Sequence, residues 1–151
     1  MIEYRFATHA DIENLVQCRL EMLRAVNNLK QDYIFSDDFV QSSRQYFLEG
    51  DQLSVLAILD NKIIGCASIC FIKIMPTFSH PTGKRAHLMN VYTDAAYRRQ
   101  GIAYKMTTML IEEAWSKGAT EISLDATDAG RPLYKKCGFQ DSKECMVLTR
   151  D

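Results

Sequence analysis

Apolar and polar positions change their period several times along this chain, and each change marks an element. Ile2, Tyr4 and Phe6 alternate with polar residues, which predicts a short strand. Thr8-His9-Ala10-Asp11 then sets a hydroxyl three residues ahead of an acid, a helix-start signal. The stripe Ile12, Leu15, Val16, Met22, Leu23 and Val26 follows at helical spacing. Asn27 to Phe35 reads as a loop, Ser36-Asp37-Asp38 as the cap of a second helix, and Gly50 as its end. Two apolar runs, Leu53 to Leu59 and Ile63 to Ile74, flank the turn Asp60-Asn61-Lys62 and predict a hairpin. Pro76 to Lys84 is a loop and Arg85 to Thr93 the next strand. Gly101 to Lys117 is a helix with Ile102, Met106, Met109, Leu110 and Trp115 on or near one stripe, stopped by Gly118. Glu121 to Thr127 is a strand, Pro132 to Cys137 a short helix before Gly138, and Cys145 to Thr149 a last strand. The order β-α-α-β-β-β-α-β-α-β mixes hairpins with crossovers. It predicts an α/β fold with a mixed sheet and helices on both faces.

Composition narrows the class. The 151 residues, 47% hydrophobic and 25% charged, suit one globular domain over 1–151. No apolar run approaches a membrane span, and Met1-Ile2-Glu3-Tyr4-Arg5 does not begin a secretory signal, so a cytoplasmic protein without membrane contact is expected. A net charge of −1 tells against nucleic acid as the main partner. The five cysteines are odd in number and form no C-x-x-C pair, which points to reduced core thiols and to no metal site. Cys66 and Cys70 fall on one side of their strand by alternation.

The chemistry concentrates at one junction. Asn90-Val91-Tyr92-Thr93 runs into Asp94-Ala95-Ala96-Tyr97-Arg98-Arg99-Gln100, and a helix opens at Gly101-Ile102-Ala103. A strand that empties through basic and small residues into a helix start offers unpaired N–H groups and the positive end of a helix dipole, a setting that suits phosphate. Gly101 allows close backbone approach, Ala103 keeps it shallow, and Arg98 and Arg99 add positive charge. The plainer alternative is a surface helix that happens to begin with a glycine after two arginines. Neither G-x-x-x-x-G-K-[ST] nor a strand-linked G-x-G-x-x-G is present.

Arg98-Arg99-Gln100-Gly101-Ile102-Ala103 resembles the [Q/R]-x-x-G-x-[G/A] motif of the GNAT superfamily of acyl-CoA N-acyltransferases. The preceding Leu88 to Thr93 strand is similar to that family's, and Gly130-Arg131-Pro132-Leu133-Tyr134-Lys135-Lys136-Cys137-Gly138-Phe139 resembles its A-x-x-L-Y-x-K-x-G-F segment. The resemblance implies a sheet of six or seven strands, mostly antiparallel, with the fourth and fifth splayed apart. It implies acetyl-CoA as co-substrate, its pyrophosphate held by Arg98, Arg99, Gln100, Gly101, Ile102, Ala103 and Tyr104. It further implies that the pantetheine arm pairs with Val91 and Thr93, that the Val91 N–H stabilises the oxyanion, and that Tyr134 protonates the departing thiolate.

Where some members carry a glutamate, eleven residues before the first position of the loop motif, this chain has His87. Histidine titrates near neutrality and is a candidate base, against water or a substrate-shaping role. By alternation His87 is expected on the same side of its strand as Met89, Val91 and Thr93. His9 and His80 read as surface residues, and Lys135 and Lys136 as an exposed helix face rather than a 3′-phosphate site. Asp32, Asp37 and Asp38 lie where the family's first helices line the acceptor groove.

The function implied is direct acetyl transfer in a ternary complex to a primary amine, on a small molecule or a protein. The alternative is a non-catalytic acetyl-CoA sensor. A tRNA-directed member of the superfamily would call for a basic surface that this chain lacks. Dimers are frequent among such proteins, and the last strand is a candidate for pairing across an interface.

Overall fold

A computed structural model describes residues 1–150. Strand β1 (Glu3–Phe6) leads through a 3-10 turn (His9–Asp11) into helix α1 (Ile12–Val26), followed by α2 (Asp37–Glu49). Strands β2 (Gln52–Leu59), β3 (Lys62–Lys73) and β4 (Lys84–Thr93) come next. A second 3-10 turn (Ala95–Tyr97) precedes α3 (Ile102–Ser116), then β5 (Glu121–Leu124) and α4 (Arg131–Cys137).

Local chemistry accounts for these boundaries. Thr8 and Asp11 form a reciprocal capping box at the entry to α1. Asp11 also takes two hydrogen bonds from Arg5 of β1, at 2.8 and 2.9 Å, and these hold its carboxyl down at about 2. Ser36 caps α2 through the Phe39 N–H. Asp60 and Asn61 both have positive φ, as the tight β2–β3 turn requires.

The sheet order is β1-β2-β3-β4-β5, antiparallel except for the β4–β5 pair, which is parallel. Helices cover both faces. On one, Ile102, Met106, Leu110 and Ala114 of α3 recur every fourth position and pack on Val55, Ala67, Ile69, Ala86 and Leu88. Trp115, expected near that stripe, is half-exposed because Ala114 occupies the inward position. On the other face Leu15, Val16 and Leu20 of α1 and Phe47 of α2 pack on Leu56 and Cys66.

The fold is the α/β arrangement expected, with five strands among the described residues in place of six or seven. Cys145 to Thr149 forms no strand. It projects beyond α4, with Met146, Val147 and Leu148 exposed at 95, 81 and 99%. The residues have strand character, but a strand needs a ladder partner, and no strand among the described residues pairs with them. β5 therefore remains an edge strand. It also stops at Leu124, short of the expected Thr127, where its pairing with β4 ends.

Candidate functional site

The site begins with an irregularity in β4. Ser68 pairs with Met89 and Cys66 with Tyr92, so Asn90 and Val91 together oppose Ala67. This is a β-bulge, and Asn90 takes it with φ 59°. Asparagine tolerates that left-handed conformation better than most residues. Its side chain is buried, donating to Cys66 Sγ at 3.9 Å and accepting from Arg19 Nη1 at 3.4 Å.

The bulge has two consequences. First, it corrects the expected alternation. Val91 packs with the α3 face, while Tyr92 and the Asn90 side chain turn to the α1–α2 face. His87 alternates with Ala86 and Leu88 of the α3 core, so it shares the α1–α2 face and not the side of Val91. One inserted residue exchanges the faces of everything beyond it. Second, β4 parts from β5. The last paired residues are Leu88 and Leu124, and among the described residues Met89 to Thr93 has no strand on that side.

The exposed edge is polar backbone. Asp94 N–H donates to Ile64 O at 2.8 Å, so by antiparallel alternation Tyr92 bonds to β3. Val91 and Thr93 then turn their N–H and C=O groups toward the gap. Arg98 Nε already reaches the Thr93 carbonyl at 3.1 Å, and Thr93 Oγ1 is buried without a partner.

The gap opens on the Arg98–Ala103 loop. Arg99 and Gly101 both have positive φ, 65° and 79°, and such turns gather successive N–H groups into a concave nest. No side chain caps α3, its first turn holds no acid, and Lys105 N–H is the one that bonds to Gly101 O. The N–H groups of Ile102, Ala103 and Tyr104 therefore face the loop unpaired, at the positive end of a full-length helix. A side chain at 101 would project into open space, with no protein atom within 4 Å. Lys136 Nζ lies 4.3 Å from the Tyr104 ring centroid, adding a cation beside the first turn.

Tyr134 stands on α4 against the α3-side core, the face that also holds Val91. Its ring meets Phe139 edge-on, and a Cβ at residue 130 would come within 3.0 Å of it, so Gly130 leaves room for the ring. The phenol makes no hydrogen bond to the described chain, and burial, with a smaller contribution from Cys137, raises its pKa. It stays protonated at neutral pH and free to donate.

His87 sits at the parting point. Its Nδ1 is 2.8 Å from Ser123 Oγ and its Nε2 3.7 Å from Asp125 Oδ2. Sequence reading missed these partners, although Ser123 lies on β5 and Asp125 just beyond its end, because the β4–β5 register is a tertiary fact. It also missed Arg19. Asp37 and Asp38 occupy the first turn of α2, beside its positive end. His9 and His80 are not part of the gap; His80 is held by Thr120 and Glu121 at the far end of β5.

A parting pair of strands that feeds an uncapped helix start is the geometry that the loop motif implied. The family model described as Acetyltransferase (GNAT) family matches residues 20–139. The chain belongs to the GNAT acetyltransferase family. This is a family of acyl-CoA-dependent N-acyltransferases with acetyl-CoA as co-substrate. Among solved GNAT structures, an acetyltransferase from Clostridium acetobutylicum with acetyl-CoA is 33% identical, with a TM-score of 0.87 and coverage of 99% of this chain and 96% of that one. A glucosamine 6-phosphate N-acetyltransferase of Trypanosoma brucei brucei is 31% identical over 87 residues, 58% of this chain and 57% of its own length. The chain thus matches little more than half of that relative. A protein of the same name from Dictyostelium discoideum is 24% identical over 133 residues, 86% of this chain and 81% of its own. No helix among the described residues is long and apolar enough to cross a membrane.

Proposed function

We propose that this GNAT protein transfers the acetyl group of acetyl-CoA to the primary amine of a small molecule, with an amino sugar phosphate as the first acceptor to test. The observation that carries the reading is the open edge of β4 running into the uncapped start of α3. The nest at Arg99 to Gly101 and the amides of Ile102, Ala103 and Tyr104 would take the pyrophosphate, assisted by Arg98. The outward backbone of Val91 and Thr93 would pair with the pantetheine amides. The names of the trypanosome and Dictyostelium relatives support the acceptor class.

The chemistry follows from those positions. The neutral amine attacks the thioester carbonyl, and the Val91 N–H donates a hydrogen bond to the oxygen on which charge grows; one such donor is worth about 100-fold or more in rate. The C–S bond breaks and Tyr134 donates to the sulfur. The ammonium proton leaves through His87, directly or by water, on the α1–α2 side from which the acceptor would approach. Residues 1–151 act as one domain in this reading, in the cytoplasm.

The test is CoA release by purified protein with acetyl-CoA and a panel of amino sugars, their phosphates, polyamines and peptide amines. Acetylation of one class supports the reading. Tight acetyl-CoA binding without turnover on any amine would replace it with a non-catalytic sensor.

We also propose a homodimer in which the C-terminal segments are exchanged. Three large apolar side chains nearly fully exposed in a strand-forming segment are costly in water. The same chain offers an unpaired edge at β5. A second copy supplies each with its partner and closes by two-fold symmetry. Removal of residues 144–151 should convert a dimer to a monomer by light scattering. A wild-type monomer at about 100 µM would dispose of the exchange.

A further inference from the structure

Arg19 is a half-buried arginine with no carboxylate partner among the described residues. Arg5, Arg24, Arg44, Arg85 and Arg131 each pair with a carboxylate: Asp11, Glu21, Glu13, Glu121 and Asp141. Arg98 and Arg99 belong to the loop, and Arg150 is exposed to solvent near the C-terminus. Arg19, on α1, has no carboxylate within 4 Å among the described residues. Its single hydrogen bond is to a neutral amide oxygen, Asn90 Oδ1, at a long 3.4 Å. Its side chain is half-buried between α1 and β4, and that burial lowers its pKa.

A half-buried guanidinium without an anion carries an uncompensated desolvation cost. Cys70 and Cys66 lie close enough to favour its charge, but neither is a carboxylate. Cys66, pushed up by its hydrogen bond with Cys18 and by burial, stays a neutral thiol. Glu21, on the same helix, is taken by Arg24 at 3.0 Å. Tyr92, raised mainly by burial, is a neutral phenol. Arg19 therefore has unfilled capacity for an anion.

Its position says which molecule would supply one. Asn90 is the bulge residue next to Val91, where the reacting carbonyl would lie. Arg19 approaches it from the α1–α2 face, opposite the α3 side that receives the coenzyme. A planar fork of N–H donors matches a phosphate with two parallel bonds. We infer that Arg19 binds the phosphate of a phosphate-bearing acceptor amine and so selects it over the neutral amine. This rests on the acetyl-transfer reading for the identity of the acceptor, and deepens it by naming the residue that reads the acceptor's charge.

The experiment is calorimetry on protein saturated with CoA, so that the loop is filled and free phosphate sites there are blocked. The probes are glucosamine against glucosamine 6-phosphate, and ethanolamine against phosphoethanolamine and β-alanine. The wild type should bind the phosphorylated member about tenfold or more tightly than the neutral one, the scale of a charge-assisted bond. In Arg19→Met that preference should fall to within about twofold, Arg19→Lys should keep part of it, and acetyl-CoA affinity should not move. Should Arg19→Met fail to bind acetyl-CoA, Arg19→Gln decides instead, since its amide can still donate to Asn90. A preference that survives loss of the guanidinium, a wild type indifferent to phosphate, or tightest binding of β-alanine would each overturn the inference. A wild type that releases no CoA with any amine defeats the transfer reading separately, while the calorimetric preference still decides the role of Arg19.

Discussion

Gly101→Glu is expected to weaken acetyl-CoA binding by about 100-fold or more while leaving a folded protein. Gly101 has φ 79°, a left-handed conformation that costs a residue with a Cβ about 1–2 kcal/mol. No protein atom lies within 4 Å of the position a Cβ would take, so the side chain enters the space left for the ligand and disturbs no packing. The added carboxylate then stands at the positive end of α3, where the coenzyme's own charge would go. It competes for the unpaired N–H groups of Ile102, Ala103 and Tyr104 and repels the pyrophosphate. Calorimetry with acetyl-CoA measures the loss, and thermal unfolding checks the fold. Gly101→Ala separates the causes: it brings the backbone strain without the charge, and its affinity should fall between the two. Equal affinity in the wild type and Gly101→Glu would move the coenzyme away from this loop.

The second large effect is on turnover. Tyr134→Phe should lower kcat by about 100-fold, the lower end of general-acid contributions, with acetyl-CoA affinity within about twofold. The phenol has no hydrogen-bond partner in the described chain, so its removal deletes no folding interaction and the melting temperature should hold. Its raised pKa fixes the pH dependence. The group is a donor in its protonated form, and burial extends that form to higher pH, so Tyr134 should impose no alkaline limb below about pH 10. Complete proton transfer from such a phenol to a thiolate near pKa 8.5 is uphill, so the gain lies in the hydrogen bond given as the C–S bond breaks. Unchanged kcat would remove Tyr134 from the chemistry. The same measurement on His87→Ala should lower kcat if His87 takes the ammonium proton, and leave it unchanged if water does.

Much of this molecule could be read from local patterns. The capping box at Thr8 and Asp11, the Ser36 cap and the Asp60-Asn61 turn are satisfied within a few residues, so composition and spacing suffice to find them. The α3 stripe was also legible, although Trp115 near it is half-exposed and Ala114 packs inward in its place. The Arg98–Ala103 loop stood out because anion binding at a helix start needs few residues, close together. What was not legible depends on residues far apart. The His87–Ser123 contact requires the parallel register of β4 and β5. The Arg19–Asn90 contact joins α1 to β4 across 71 positions.

The last strand was misread for the same reason. Cys145 to Thr149 has the residues of a strand, but a ladder is a property of two strands, and propensity cannot supply the second. The bulge is the sharper case. Alternation assigned His87, Val91 and Thr93 to one side, because a period of two admits no extra residue. Asn90 was visible in the sequence, yet only its pairing against Ala67 reveals the insertion that turns Val91 to α3 and parts β4 from β5. The sequence by itself determined most of the elements, their caps and the turn at Arg98 to Ala103, since these are short-range consequences of hydrogen bonding and backbone conformation. Tertiary structure alone decided which face each side chain of β4 serves, where the sheet opens, and that Arg19 is half-buried without a carboxylate beside it, because those outcomes depend on strand register and on burial between distant segments.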